Sequence, residues 1–245
     1  MTAMSTHSQM ASNTAAARQS SLAQFAPFAG IALVAIALPF IGNDYWAVIG
    51  TRAAIYWVLV AGLNLIVGFA GQLAIGYVAL LTLGAYVTSV LAAGNVLPAM
   101  PLLVCYAAAA IFGGVFGVVV GLPALRLRTF YFAISTLGFA TIVTQIALAW
   151  QSVTGGGIGL PGPEFPAPFG TPWGFYVFCI GAAALATWLT SNIARSRFGR
   201  ALVAVRDADV AAEANGISKA HLLLPIFMLG GTMAAIAGAP LVADG

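Results

Sequence analysis

Residues 101–122 read PLLVCYAAAAIFGGVFGVVVGL, an apolar run without a single Asp, Glu, Lys or Arg. A helix needs about 20 such residues to cross the hydrocarbon core of a bilayer. The run lacks the period-two alternation of a barrel strand. Lipid offers the backbone no hydrogen-bond partners, so the chain must satisfy them within a helix. Gly113, Gly117 and Gly121 recur every fourth residue, a small-residue ladder that lets another helix come close, either within the subunit or in a second one.

Six more segments of this kind flank it, at roughly 22–41, 53–70, 73–93, 130–150, 173–191 and 222–242. The expected fold is all-α, a polytopic transmembrane helix bundle of about seven spans. Gly71 and Gln72 leave almost no loop between the second and third runs, so 53–93 reads either as two spans or as one span plus a re-entrant segment. Composition agrees: 61% of the chain is hydrophobic and 6% charged, whereas a soluble domain carries about a quarter charged residues. A water-exposed globule is excluded. Cys105 and Cys179 lie inside apolar runs and read as small buried hydrophobes, not as a disulfide or metal ligands. Residues 1–21 are polar with one charge, Arg18. They read as a disordered cytoplasmic tail, because the next apolar segment has spanning rather than signal-peptide length. Residues 22–245 form the membrane domain.

The basic residues assign orientation. With a cytoplasmic tail, Arg18, Arg126, Arg128, Arg195, Arg197, Arg200, Arg206 and Lys219 all fall inside, and only Arg52 outside. That is the asymmetry of the positive-inside rule. Segment 151–171 then faces out and meets either an extracytoplasmic partner or nothing.

Covalent chemistry has little to work with. The histidines are His7, in the tail, and His221, at a helix boundary. There is no HExxH, no Ser/His pairing and no carboxylate pair at bilayer depth. Ion-coupled carriers usually keep ionisable groups in the membrane, and the spans hold none. The single lysine has no glycine run before it, so a Walker motif is absent. The intramembrane polar groups are neutral. Gly138, Thr141, Thr144 and Gln145 share one helical face, and Asn64, Gln72 and Thr82 lie in the preceding runs. They read as interhelical glue or as lining of a pathway for a neutral or zwitterionic solute.

The segment 195–219, RSRFGRALVAVRDADVAAEANGISK, concentrates the charge. Ser196 can cap a helix whose Phe198, Leu202 and Val205 recur at helical spacing. Asp207 can cap a second, short helix at about 208–214, with Asp209 in its first turn. Asn215-Gly216 is a good stop. The short helix presents Ala211, Ala212 and Ala214, a small-residue face suited to a groove on a partner.

Here the chain resembles a known family. Ala211-Ala212, then Gly216, then Pro225 resemble the coupling loop of ABC importer permeases, with Val210 where Glu is usual. GLNLIVGFAGQLAIGYVALLTLGAYV (62–87), LRLRTFYFAISTLGFATI (125–142), TGGGIGLPG (154–162) and RFGRALVAVRDADVAAEANGI (197–217) stand in the order found in branched-chain amino acid ABC transporter permeases of the LivM type. The resemblance covers about 53–240. It implies a subunit of an ATP-driven importer in the bacterial inner membrane, not an enzyme. It also implies a homologous permease partner, two cytoplasmic ATPases that bind the ATP, and an extracytoplasmic solute-binding protein that sets most of the substrate selectivity. Contact with the ATPases would fall on Arg200, Asp207, Asp209, Ala211, Ala212, Glu213 and Gly216. No cofactor and no nucleic acid are implied. A urea or short-amide permease is the near alternative, and a secondary transporter or channel the distant one. The family usually continues beyond the position of Gly245, so the expectation is a C-terminally short chain. Its last helix, with Gly230, Ala234 and Gly238 on one face, would then lack a helix to pack on and assemble poorly.

Overall fold

The computed structural model describes residues 43–93, 101–127, 129–156, 160 and 170–241. The proposed tail and the 22–41 span lie outside them. Contacts divide the chain at Gly50 into two units, 1–50 and 51–245. Of the first, only 43–50 is described, as the opening turns of a helix; the other described elements belong to the second.

Every regular element among the described residues is helical. Helix α1 runs Asp44–Asn64 and continues as a π-helical turn, Leu65–Phe69. A 3-10 turn, Ile75–Tyr77, leads into α2, Val78–Ala93. Then come α3 (Leu102–Ala124), α4 (Thr129–Ala149), the single turn α5 (Gln151–Thr154), α6 (Pro172–Arg195), α7 (Arg197–Asp207), α8 (Asp209–Ala214) and α9 (Lys219–Leu241). Among the described residues six stretches are long and apolar enough to span: Asp44–Phe69, Ile75–Ala93, Leu102–Ala124, Thr129–Ala149, Pro172–Arg195 and Lys219–Leu241. The 53–93 region is therefore two helices of spanning length. The first is longer than its apolar run: Arg52 lies within a helix that starts at Asp44, not in a loop.

The centre of the bundle is a seam of small residues. A Cβ on Gly117 would overlap the Phe227 carbonyl, and one on Gly121 would lie 2.8 Å from the Phe227 ring. A Cβ on Gly231 of α9 would overlap the Gly113 carbonyl and lie 2.9 Å from the Gly117 Cα. The α3 ladder thus packs within the subunit, backbone on backbone. The other small face of α9 is occupied too. Gly230 meets Ile66 of the π-helical turn, Gly238 meets the Leu81 carbonyl of α2, and Ala234 is fully buried. The expectation that this face awaits a further helix is overturned: α1 and α2 already fill it. Accordingly α9 has 67% of its spanning window buried, against 28% for α4 and 17% for α6.

Candidate functional site

The segment between α6 and α9 is built by local rules. Ser196 caps α7: the Gly199 N–H donates to Ser196 Oγ at 3.1 Å. Leu202 and Val205 are buried and Phe198 packs against the core, so one face of α7 is anchored while Arg197 and Arg200 stay exposed. Arg200 Nη1 donates to the Arg195 carbonyl, 3.2 Å, one of the orphan acceptors at the end of α6. Asp207 does not cap α8. It is the last residue of α7, and its Oδ1 accepts from Arg206 Nε at 2.9 Å. The N-cap position falls on Ala208, with no side-chain bond. The neighbouring guanidinium competes for the carboxylate that the cap would have used.

The stop of α8 is a Schellman motif. The Gly216 N–H donates to the Glu213 carbonyl (2.9 Å) and the Ile217 N–H to that of Ala212 (3.1 Å). Gly216 has φ +78° and open space around its missing Cβ, so glycine is required here by conformation alone. The exposed face differs from the expected one. Ala212 is 5% exposed and belongs to the core, whereas Val210, 82% exposed, stands out with Ala211, Glu213 and Ala214. Ala212 is therefore a packing residue, and the outward surface is Val210, Ala211, Glu213 and Ala214. Helical phase decides this, because Ile217 and Ala212 must turn inward together.

Asp209 does more than face the dipole of its helix. Its Oδ2 accepts from Lys219 Nζ at 2.7 Å, and its Oδ1 is buried without a partner. These groups line a cavity of about 520 Å³ that also collects Gly71, Gln72, Arg126, Leu127, Thr129 and Arg206. Thus residues 125–127 with the start of α4, the 205–219 segment and the 70–72 turn share one end of the bundle, and the described basic residues Arg126, Arg206 and Lys219 lie together there as the charge pattern required. A second, more open groove of about 490 Å³ runs past Glu213, Ile217 and Ala220.

The neutral polar residues fall into two places. Asn64 stands where α1 turns π-helical, its amide oxygen packed on Gly68. Gln72 faces the basic-end cavity, with Oε1 buried and unpartnered. Gly138, Thr141, Thr144 and Gln145 instead form an exposed stripe on α4. The two threonines donate to their own helix, Thr141 Oγ1 to the Gly138 carbonyl (2.8 Å) and Thr144 Oγ1 to that of Ala140 (2.9 Å). A Cβ on Gly138 would meet nothing within 4 Å, and beside it lies a groove of about 320 Å³ formed with Val119, Pro123, Ser135 and Ile142. Thr82 donates to the Val78 carbonyl within α2. Two contacts of consequence join these parts: Arg206 Nη1 donates to the Gly68 carbonyl at 2.6 Å, and Thr136 Oγ1 accepts from the Gly76 N–H at 3.2 Å. Neither contact has a sequence signal, since each joins segments distant in the chain.

Comparison with known proteins bears on the same region. The family model described as "Branched-chain amino acid transport system / permease component" matches residues 46–245. The high-affinity branched-chain amino acid transport system permease proteins LivM of Salmonella typhimurium and Escherichia coli are each 28% identical over 233 residues, covering 84% of this chain and 54% of their own length. The chain thus spans about half the length of the curated relatives it matches. No solved structure matches significantly. The matched stretch takes in the α7–α8 segment and all six described spans but for the first two residues of α1, and on it the chain belongs to the family of branched-chain amino acid transport system permease components.

Proposed function

We propose that this chain is the transmembrane permease subunit of an ATP-driven importer of branched-chain amino acids in the bacterial inner membrane, with its basic end in the cytoplasm. One observation carries the reading: α8, a six-residue helix with a Schellman stop, stands at the basic end and exposes Val210, Ala211 and Ala214. An exposed valine beside small residues at a membrane protein's polar end favours contact with another protein over water. The occupant is a cytoplasmic ATPase, which supplies the nucleotide site that this sequence lacks. The exposed stripe Gly138, Thr141, Thr144 and Gln145 faces the second permease and the pathway between them. A lipid-facing amide would leave its donors and acceptor unmet, whereas a partner or a water-filled path meets them.

The test is uptake of labelled leucine into vesicles holding this chain, its partner permease, both ATPases and the binding protein. ATP-dependent uptake supports the reading, and its absence from the complete assembly overturns it. For docking, Val210→Asp should lower ATPase co-purification about tenfold, the scale of a lost interface contact. Undiminished co-purification would remove α8 from the interface.

A further inference from the structure

Two bonds flank α8 and lead to different spans. Before it, Arg206 reaches the end of α1. In a regular helix the Gly68 carbonyl would accept from the Gln72 N–H. Here the π-helical turn shifts the ladder: the Gln72 N–H bonds to the Ile66 carbonyl at 3.1 Å and the Ala70 N–H to that of Leu65 at 3.2 Å. The Gly68 carbonyl is left over, and Arg206 Nη1 takes it. The Arg206 stem lies over Gly71, whose φ of +68° and missing Cβ leave room for it. After α8, the Asp209–Lys219 ion pair ties the helix to the first residue of α9.

Both routes lead to the 3-10 turn. From Gly71 the chain runs directly into Ile75–Tyr77. Along α9, Gly230 accepts a hydrogen bond from the Tyr77 hydroxyl at 2.6 Å. At Gly76 the turn touches α4. Its N–H donates to Thr136 Oγ1, and a Cβ there would overlap the Thr136 carbonyl. Thr136 stands about 10 Å along α4 from Thr129 at 1.5 Å per residue, next to the stripe that starts at Gly138. π-Helical turns occur often at functional sites, and this one lies on the Arg206 route, where its Ile66 also packs on Gly230 of α9.

We propose that Arg206 and Lys219 are positioning residues that convert displacement of α8 into movement of the 68–77 turn, and through Gly76 into movement of the polar stripe of α4. The proposal rests on the reading of α8 as the ATPase contact. The coupling is measured as uptake per ATP. In the reconstituted importer, Arg206→Gln should leave ATPase co-purification and ATP hydrolysis unchanged while uptake per ATP falls at least about fivefold, the low end of coupling between distant sites. Arg206→Lys, which restores one donor, should recover part of the loss. Lys219→Met should act in the same direction. A thiol at Thr141→Cys should change its labelling rate on ATP addition in the parent and lose that response with Arg206→Gln. Thr136→Val removes the acceptor for Gly76. If the route is shared, its uptake loss combined with that of Arg206→Gln should be smaller than the product of the two.

Uptake per ATP within twofold of the parent in Arg206→Gln overturns the proposal, as do multiplying losses in the double variant. Failure of Arg206→Gln to assemble would assign Arg206 to folding and overturn its positioning role, while Thr136→Val still tests the route at its other end. Val210→Asp separates the two readings. If it docks normally, the ATPase contact itself is wrong; if it weakens docking while Arg206→Gln transports normally, only the transmission route fails.

Discussion

Helix α9 and helix α4 both span, and both carry glycine among apolar residues, yet their glycines do opposite work. On α9, Gly230, Gly231 and Gly238 press against carbonyls and side chains of α1, α2 and α3. On α4, Gly138 faces open space. In lipid, helices associate through van der Waals packing and hydrogen bonds rather than through expulsion of water. The α2–α3–α9 seam is consequently the part that holds the subunit together, whereas α4 and α6 keep most of their spanning surface exposed.

The contrast breaks most visibly by adding volume at each place. Gly231→Leu would drive a side chain into the Gly113 carbonyl and should cost about 3 kcal/mol or more, at the upper end of overpacking. The protein should lose its single elution peak in detergent. Gly138→Leu should change stability by no more than about 0.5 kcal/mol, as at other open sites, while filling the groove beside it and reducing uptake. Equal thermal stability of the two variants would erase the distinction.

The basic end gives an intermediate effect. Gly71→Ala puts a Cβ at φ +68° and against the Arg206 stem, which should cost about 1–3 kcal/mol, the range for a strained backbone position. A melting temperature equal to the parent's would show that the turn relaxes and that Arg206 does not pack on it. Tyr77→Phe sharpens the comparison further. It keeps the ring and removes the bond to the Gly230 carbonyl, so it should lower stability by about 1 kcal/mol. Thermal unfolding of the pair reports the value; no loss would mean that packing alone holds the turn to α9.

The smallest effect is topological. Thr154 is buried, its hydroxyl donating to the Ala147 carbonyl at 2.6 Å, so it is a poor site for a probe. Ser152, in α5 just past the end of α4 that lies away from the basic loops, is exposed. Ser152→Cys should label with an impermeant thiol reagent from the extracytoplasmic side and leave stability unchanged. The native Cys105 and Cys179 are buried and should stay silent. Labelling of Ser152→Cys only after permeabilisation would reverse the proposed orientation.

Hydropathy, charge placement and capping residues by themselves determined the fold class, six described spans to within a few residues save the earlier start of the first, the shared end of the basic loops, and the capped α7 with its short successor. These are local properties: apolar length against bilayer thickness, charge between spans, and capping chemistry within one turn. The four quoted motifs likewise carried the family. What only the tertiary structure decided depends on which surfaces meet. Ala212 turns inward and Val210 outward because the phase of a six-residue helix is set by the core beneath it. The small face of α9 is filled by α1 and α2, not left for another helix. Arg206 and Thr136 matter through partners far away in sequence. A pattern of small residues says that a helix can be approached closely. Only three-dimensional packing says by what, because in lipid every apolar face is equally content until another helix fits it better.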